Sequence, residues 1–323
     1  MYTMSDIEQV RRQLDCLLGV WQGNNESRIE DCMNEKIYAA FSNFGKLFVR
    51  DMLLEAMKKT WKEHTEFSIL QHDCLIAGKE AFQYATILGL IWRGPQHICF
   101  GGTFNNKLTL SEGRWVYTEL RFELQEDNGI EDQYLTESGH IVTIPGKGDR
   151  SLMTGWKMVN DRVGYFMDPL KEQGQHMILG EWDAPWNRAS EEADDKPEAV
   201  MLQNLFDRFC FAYDTTTLMI IRDFLSEDFI LHSDSVGDLD KHHALGYLRI
   251  RRQGAPRSFL AGKARDIRIE ESAAECDFIC YSPAAFTGEW GEEGWIYGCR
   301  DRALHASFIR SDNTWKFKEL RFR

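Results

Sequence analysis

The segments Trp115-Val-Tyr-Thr-Glu-Leu-Arg-Phe122 and Trp315-Lys-Phe-Lys-Glu-Leu-Arg-Phe322 decide the fold, because they are one pattern written twice. From 115 to 315 and from 122 to 322 the spacing is 200 residues, and it is the same for Trp, Glu, Leu, Arg and Phe. Tyr117 and Phe317 add a matched aromatic. Five identities at one spacing mark a duplicated unit. Within each segment, apolar and polar residues alternate with a period of two, which predicts a half-buried strand. Each follows a polar turn, Ser111-Glu-Gly-Arg114 or Ser311-Asp-Asn-Thr314. Ahead of the turns stand Cys99-Phe-Gly-Gly-Thr-Phe104 and Ala303-Leu-His-Ala-Ser-Phe-Ile309, which read as the partner strands of two hairpins.

Further upstream, each copy opens on a helical pattern. Ile7, Val10, Leu14, Leu17, Leu18 and Trp21 recur at helical intervals after Ser5, with Glu8 three positions on as in a capping box. Val200, Leu202, Leu205, Phe206, Phe209 and Tyr213 do the same after Pro197. The second copy then predicts a short helix over 217–225, a strand over 229–233, a helix over 239–252, and strands over 264–270, 275–281 and 295–300. The first predicts a helix over 46–61 and strands over 67–76, 81–91 and 97–103. The expected class is α+β: tandem cone-shaped domains, each with about three helices packed on a curved antiparallel sheet. The first domain spans 1–122 and the second 198–323. The stretch 123–197 is too long and too aromatic for a flexible linker, so it is expected to be an ordered extension of the first domain that ends in a charged linker. Pro145-Gly-Lys-Gly-Asp-Arg150 reads as a turn, because the G-x-x-x-x-G-K-[ST] spacing of a phosphate loop is absent.

Composition narrows the function. The chain has 323 residues, 43% of them hydrophobic, enough for more than one core. With 51 acidic against 38 basic side chains the net charge is −13, a field that repels phosphate backbones and anionic lipid. Nucleic acid and membrane are therefore not expected partners. The longest apolar stretch, near 85–92, falls far short of the roughly 20 residues that span a bilayer. Met1 to Val10 carries Asp6 and Glu8 and no apolar run, so a cytoplasmic location is expected. The eight cysteines form no C-x-x-C pair and read as scattered buried thiols, with no metal site.

The order of elements, Phe211-Ala-Tyr-Asp214, Phe224-Leu-Ser-Glu-Asp-Phe-Ile230 and the closing Trp315-Lys-Phe317 resemble the nuclear transport factor 2-like superfamily, in its SnoaL-like (polyketide cyclase and scytalone dehydratase-like) branch. The likeness covers about 5–122 and 198–323. It implies cones whose apolar mouths take small ring compounds, and a lyase or isomerase chemistry that needs no cofactor. In scytalone dehydratase and hexachlorocyclohexane dehydrochlorinase, an Asp at the end of the first helix works with a His from the sheet. Asp214, after Tyr213, matches the Asp, but Ser258 stands where the His is expected, and no His lies between 244 and 304. In the first copy Trp21 and Gln22 occupy the Tyr213 and Asp214 positions.

The candidate catalytic set is therefore Asp214 to orient or serve as base, His305 to relay a proton, and Tyr213 with Glu319 to polarise a substrate oxygen. Trp21, Asn105, Glu119 and Trp315 are the candidate binding residues. Each also has a plainer reading. Asp214 suits an N-cap before Thr215, His305 a half-buried hydrogen-bonded imidazole, and Glu119 and Glu319 ion pairs with Arg121 and Arg321. His242 and His243 diverge on a helix and His72 and Asp73 on a strand, so neither pair is a site. The expected partner is a small hydrophobic ligand, with the two copies paired inside one chain. The alternative is a ligand-sensing or protein-interaction module whose cones are filled by their own aromatics.

Overall fold

The computed structural model describes residues 4–24, 28–41, 43–60, 63–129, 132–135, 141–144, 146–153, 197–214, 218–254, 259–292, 294–311 and 314–322. Side chains at 4–5, 132–135, 141–144, 214, 218–219, 251–254 and 322 lie outside that description. The chain divides into two compact units, residues 1–192 with 288–296, and residues 193–287 with 297–323.

The first unit runs α1 (Met4–Trp21), α2 (Ile29–Cys32), β1 (Met33–Phe41), β2 (Gly45–Val49), α3 (Arg50–Lys58), β3 (His64–Ala77), β4 (Glu80–Arg93), β5 (Gln96–Ser111) and β6 (Arg114–Asp127), with a small hairpin β7 (Asp132–Leu135) and β8 (Ile141–Ile144) after it. The second runs α4 (Glu198–Asp214), α5 (Leu218–Phe224), β9 (Leu225–Ser233), β10 (Gly237–Asp240), α6 (Lys241–Gly254), β11 (Ala261–Glu270), β12 (Ala273–Tyr281), β15 (Arg300–Ser311) and β16 (Thr314–Phe322). Between β12 and β15 the chain forms an added hairpin, β13 (Thr287–Gly291) with β14 (Gly294–Gly298), most of which, residues 288–296, belongs to the first unit.

The duplication extends to the register. The sheets have the orders β2-β1-β6-β5-β4-β3 and β10-β9-β16-β15-β12-β11, which are the same order of equivalent strands. Asn105 faces Arg121 and Lys107 faces Glu119, and then the register slips before Leu108 meets Tyr117. In the second unit His305 faces Arg321, Ser307 faces Glu319, and the slip falls before Phe308 meets Phe317. A bulge kept at the same place in both copies bends both sheets at the same place. All neighbouring strands are antiparallel except one pair in each unit, β1 with β6 and β9 with β16. The first hairpin turns on Glu112 at φ 50° and Gly113 at φ 78°, the two positive φ values of a tight type I′ turn.

Two differences from the expected elements have a local cause. Residues 46–49 and 239–240, expected to open helices, belong to strands β2 and β10. Their helices start where the chain leaves the sheet edge, at Arg50 and Lys241. Strand β1 also escapes a reading by alternation, since it buries Ala39, Ala40 and Phe41 in succession, and β9 begins four residues ahead of the strand expected over 229–233. Beyond Phe122, β6 continues to Asp127, and the chain after it returns to the sheet, where Asp149 N donates to His97 O and Leu152 and Met153 join the core. Residues 154–196, and with them the expected linker, lie outside the described residues. No described helix is long and apolar enough to cross a membrane.

In each unit the helices cover one sheet face. Leu14, Leu17 and Trp21 of α1 meet Phe104, Leu120 and Phe122 in one core. In the other, Leu202, Phe206 and Phe209 of α4 meet Phe278, Leu304 and Phe317. Gln203 fastens α4 to β11, donating to Gly262 O (3.0 Å) and accepting from Ala264 N (2.7 Å).

Candidate functional site

The core of the first unit ends in a closed aromatic plug. Trp21, the last residue of α1, is fully buried, and its indole lies 5.7 Å from Phe41, 5.5 Å from Phe44, 5.2 Å from Phe67 and 5.1 Å from Phe122. Phe104 and Phe122 close on each other at 4.5 Å. Backbone packs into the same cluster at Gly102, where a Cβ would lie 2.4 Å from Phe122 Cζ. Trp21, expected as a binding residue, is here part of the packing.

Beside the plug lies a polar network on the same sheet face. Gln83 is fully buried, and its amide uses every hydrogen-bonding position it has. Its Nε2 donates to Val10 O (3.0 Å) and to His72 Nε2 (3.0 Å), while its Oε1 accepts from Asn106 Nδ2 (2.9 Å) and Tyr117 OH (2.7 Å). The corresponding positions of the second unit carry Ala264, Cys276, Ala306 and Phe317, so there the face is apolar. Burial, aided by the Arg11 charge, pushes the imidazole of His72 down to about 3. Its Nε2 accepts a hydrogen bond, a role open only to the neutral ring.

The unfolded chain protonates this histidine below about pH 6.5, while the folded one resists until about pH 3. The stability tied to His72 is therefore complete above pH 6.5 and is lost as pH falls toward 3. Urea titrations at pH 7 and pH 5 are expected to show a fall of up to about 1 kcal/mol per pH unit, which His72→Gln removes. An equal fall in both proteins would rule the role out.

The opposite face of each sheet holds the other expected residues. In the second unit Leu304, Ala306 and Phe308 point into the core, so His305 and Ser307 between them point away from it. His305 Nδ1 pairs with Asp277 Oδ1 on β12 at 2.7 Å. Glu319 is on that outer face too, 3.3 Å from His232 Nε2, and His232 Nδ1 reaches Asp238 at 2.7 Å. Tyr213 belongs to the core, near Phe209. The structure thus does not bring His305 and Glu319 together with Tyr213: the period of two sends them to opposite faces of one sheet. The backbone of Asp214 ends α4, and its side chain lies outside the described residues.

Asn105 and Glu119 take the same outer face in the first unit, away from Trp21, and Glu119 is bound by Arg121 (Nε to Oε1, 2.7 Å) as its plainer reading expected. Glu319, by contrast, meets His232 Nε2 rather than Arg321. Trp315 sits in the core of the second unit, with Arg310 over its ring. All eight cysteines are free and buried; Cys16 Sγ donates to Arg28 O (3.5 Å) and Cys32 Sγ to Ile29 O (3.6 Å), and the nearness of the two thiols lowers the first and raises the second. No group of three or more His, Cys, Asp or Glu converges as a metal would require, among the described residues.

Where the first unit is plugged, the second is polar. Arg302 follows Leu304, Ala306 and Phe308 along the core face of β15, and its side chain is 41% exposed, so water reaches that end of the core. The spacing of 200 sets it against Gly102, beside a slip of β15 against β12 between Ala303 and Arg300 that β5 and β4 lack. Cys280 of β12 and Tyr213 of α4 both lie within reach of its charge. Neither Arg302 nor Asp277 was singled out from the sequence. The constant spacing of 200 does pair Arg302 with Gly102, a change of chemistry inside a repeat, whereas Asp277 becomes visible only through strand register.

No protein-family model matches the chain. No curated protein matches it either. Among solved structures it is similar to LinA, at TM-score 0.36 and 10% identity over 38% of this chain and 88% of that one. It is also similar to a putative scytalone dehydratase from Novosphingobium aromaticivorans, at TM-score 0.35 and 10% identity over 45% of this chain and 95% of that one. A putative dehydratase from the NTF2-like family from Streptomyces avermitilis is similar at TM-score 0.33 and 14% identity, over 36% of this chain and 94% of that one.

Proposed function

We propose that this chain binds a small hydrophobic molecule in its second unit, and that the first unit is a packed counterpart that takes none. The observation that supports this most is the contrast at equivalent core ends. Trp21 fills the first with five surrounding rings, whereas Tyr213 and the solvent-reached Arg302 edge the second. Apolar walls with a few convergent polar groups are what a small-molecule site requires. The resemblance carried by Phe211-Ala-Tyr-Asp214 implies the same location. A lyase or isomerase step there would draw on Tyr213 and on Asp214, which follows it at the end of α4.

The test is native mass spectrometry of the purified protein, followed by denaturing extraction and titration with ring compounds. One bound molecule per chain is expected. Two equivalent sites, or none at saturating concentrations, would reject the reading. Because His305 faces away from this core, His305→Ala is expected to leave occupancy unchanged, and a several-fold loss would return it to the site.

A further inference from the structure

From the geometry of the second unit we infer that its site takes an amphiphilic anion, a ring compound carrying a carboxylate, and that Arg302 is the group that holds the charge. The inference rests on the proposed ligand site in that unit and adds the chemical class of what enters it.

Arg302 is placed by β15 alternation together with a bulge, where the strand slips against β12 between Ala303 and Arg300, opposite Cys280. Phe308, Ala306 and Leu304 are almost completely buried on the core face of β15, and two residues further along the same face comes a guanidinium at the water-exposed end. Asp301 accepts from its Nε at 2.8 Å, which leaves the guanidinium held by one edge. Among the described residues Asp301 is the only carboxylate within ion-pair distance of it. A guanidinium fixed at Nε presents its terminal N–H groups as a planar fork, the geometry that matches a carboxylate through two parallel hydrogen bonds.

The surroundings select the rest of the ligand. Deeper along the same face, Phe206 and Phe278 stack at 3.8 Å, Phe278 meets Phe308 at 6.4 Å, and Phe209 lies 6.4 Å from Tyr213. Beside the charge stands the Cys280 thiol, which burial keeps protonated and which therefore offers no competing anion. A rigid apolar body toward the rings and a carboxylate toward Arg302 satisfy both halves of this arrangement.

The first unit supplies the internal comparison. At the matching position of the repeat its strand has Gly102, and Phe122 fills the space that any side chain would take. Where Tyr213 stands one residue before the end of α4, Trp21 ends α1. The two copies keep the same strand order and the same bulge, yet at this end one is sealed and the other carries a cation. Packing alone does not call for an arginine there, since the sister unit closes without one. In a chain whose net charge is −13, attraction of an anionic ligand has to come from a local cation of this kind.

The experiment compares 2-naphthoic acid with its methyl ester by isothermal titration calorimetry on the full-length chain. The wild-type protein is expected to bind the acid at least ten-fold more tightly than the ester, and Arg302→Met is expected to erase that preference while leaving the ester's affinity unchanged. Should Arg302→Met lose its fold by circular dichroism, Arg302→Gln, which keeps length and a donor, reads the same loss. Equal affinity for acid and ester, or a preference that survives both substitutions, would overturn the anion assignment while the ligand site itself stands. Failure of the wild-type protein to bind either compound would overturn both.

Discussion

Gln83→Leu is expected to lower the stability of the first unit by about 3–5 kcal/mol, although leucine is nearly the same size and more hydrophobic. In transfer terms the substitution favours the fold, because it puts an apolar chain where an amide was buried. The neighbours decide the outcome. Asn106 and Tyr117 lose their acceptor, and Val10 O and His72 lose their donor, and all of these but His72 are fully buried. A buried polar group left unmatched costs about 1–3 kcal/mol, and this change strands several at once, with only Val10 O retaining an alternative inside its helix. Chemical denaturation followed by near-ultraviolet circular dichroism of the tryptophans measures it. The double variant Gln83→Leu with Tyr117→Phe is expected to recover part of the loss, since it removes one stranded hydroxyl together with the missing acceptor. A loss below about 1 kcal/mol, or no recovery in the double variant, would show that the network is not coupled as the geometry indicates.

That network also shows what a sequence can and cannot convey. Alternation along 115–122 and 315–322 carries the faces of two strands, and the constant spacing of 200 carries the duplication, because both are local properties of the chain. The strands of the second copy over 261–270 and 273–281 are legible for the same reason. Strand β1 is not, since it is the one parallel neighbour of a central strand and buries consecutive residues, and of β9 only the stretch 229–233 is. The candidate site failed at a different level. His305, Glu319 and Tyr213 were grouped by their closeness to one presumed cone, but closeness along strands does not fix the face. Counting by twos from Leu304 sends His305 outward and Arg302 inward. The partner of His305 is Asp277, 28 residues away on the neighbouring strand, and nothing local to either residue announces the pair. His72 and Gln83 were likewise ordinary strand residues until register brought them under α1.

Gly102→Arg, which writes the second copy's residue into the first, is expected to destroy the packing of the first unit, with a loss of about 3 kcal/mol or more. Even the first carbon of any side chain at Gly102 would lie 2.4 Å from Phe122 Cζ and 3.2 Å from the carbonyl oxygen of Glu123. Phe122 cannot yield easily, since its ring is set among Trp21 at 5.1 Å, Phe41 at 5.6 Å and Phe104 at 4.5 Å. Interiors this dense absorb an added methylene only by moving other side chains off their preferred rotamers. A guanidinium in the same place would also have to reach water past that cluster or stay unsolvated within it. The reciprocal change, Arg302→Gly, removes a side chain that already meets water and is expected to cost about 1 kcal/mol, the conformational penalty of glycine in a strand. Thermal unfolding of the two variants side by side reads the asymmetry. If Gly102→Arg unfolds within a degree or two of the wild type, the first core is not sealed at that end, and the contrast between the copies, on which the assignment of the ligand to the second unit depends, is lost.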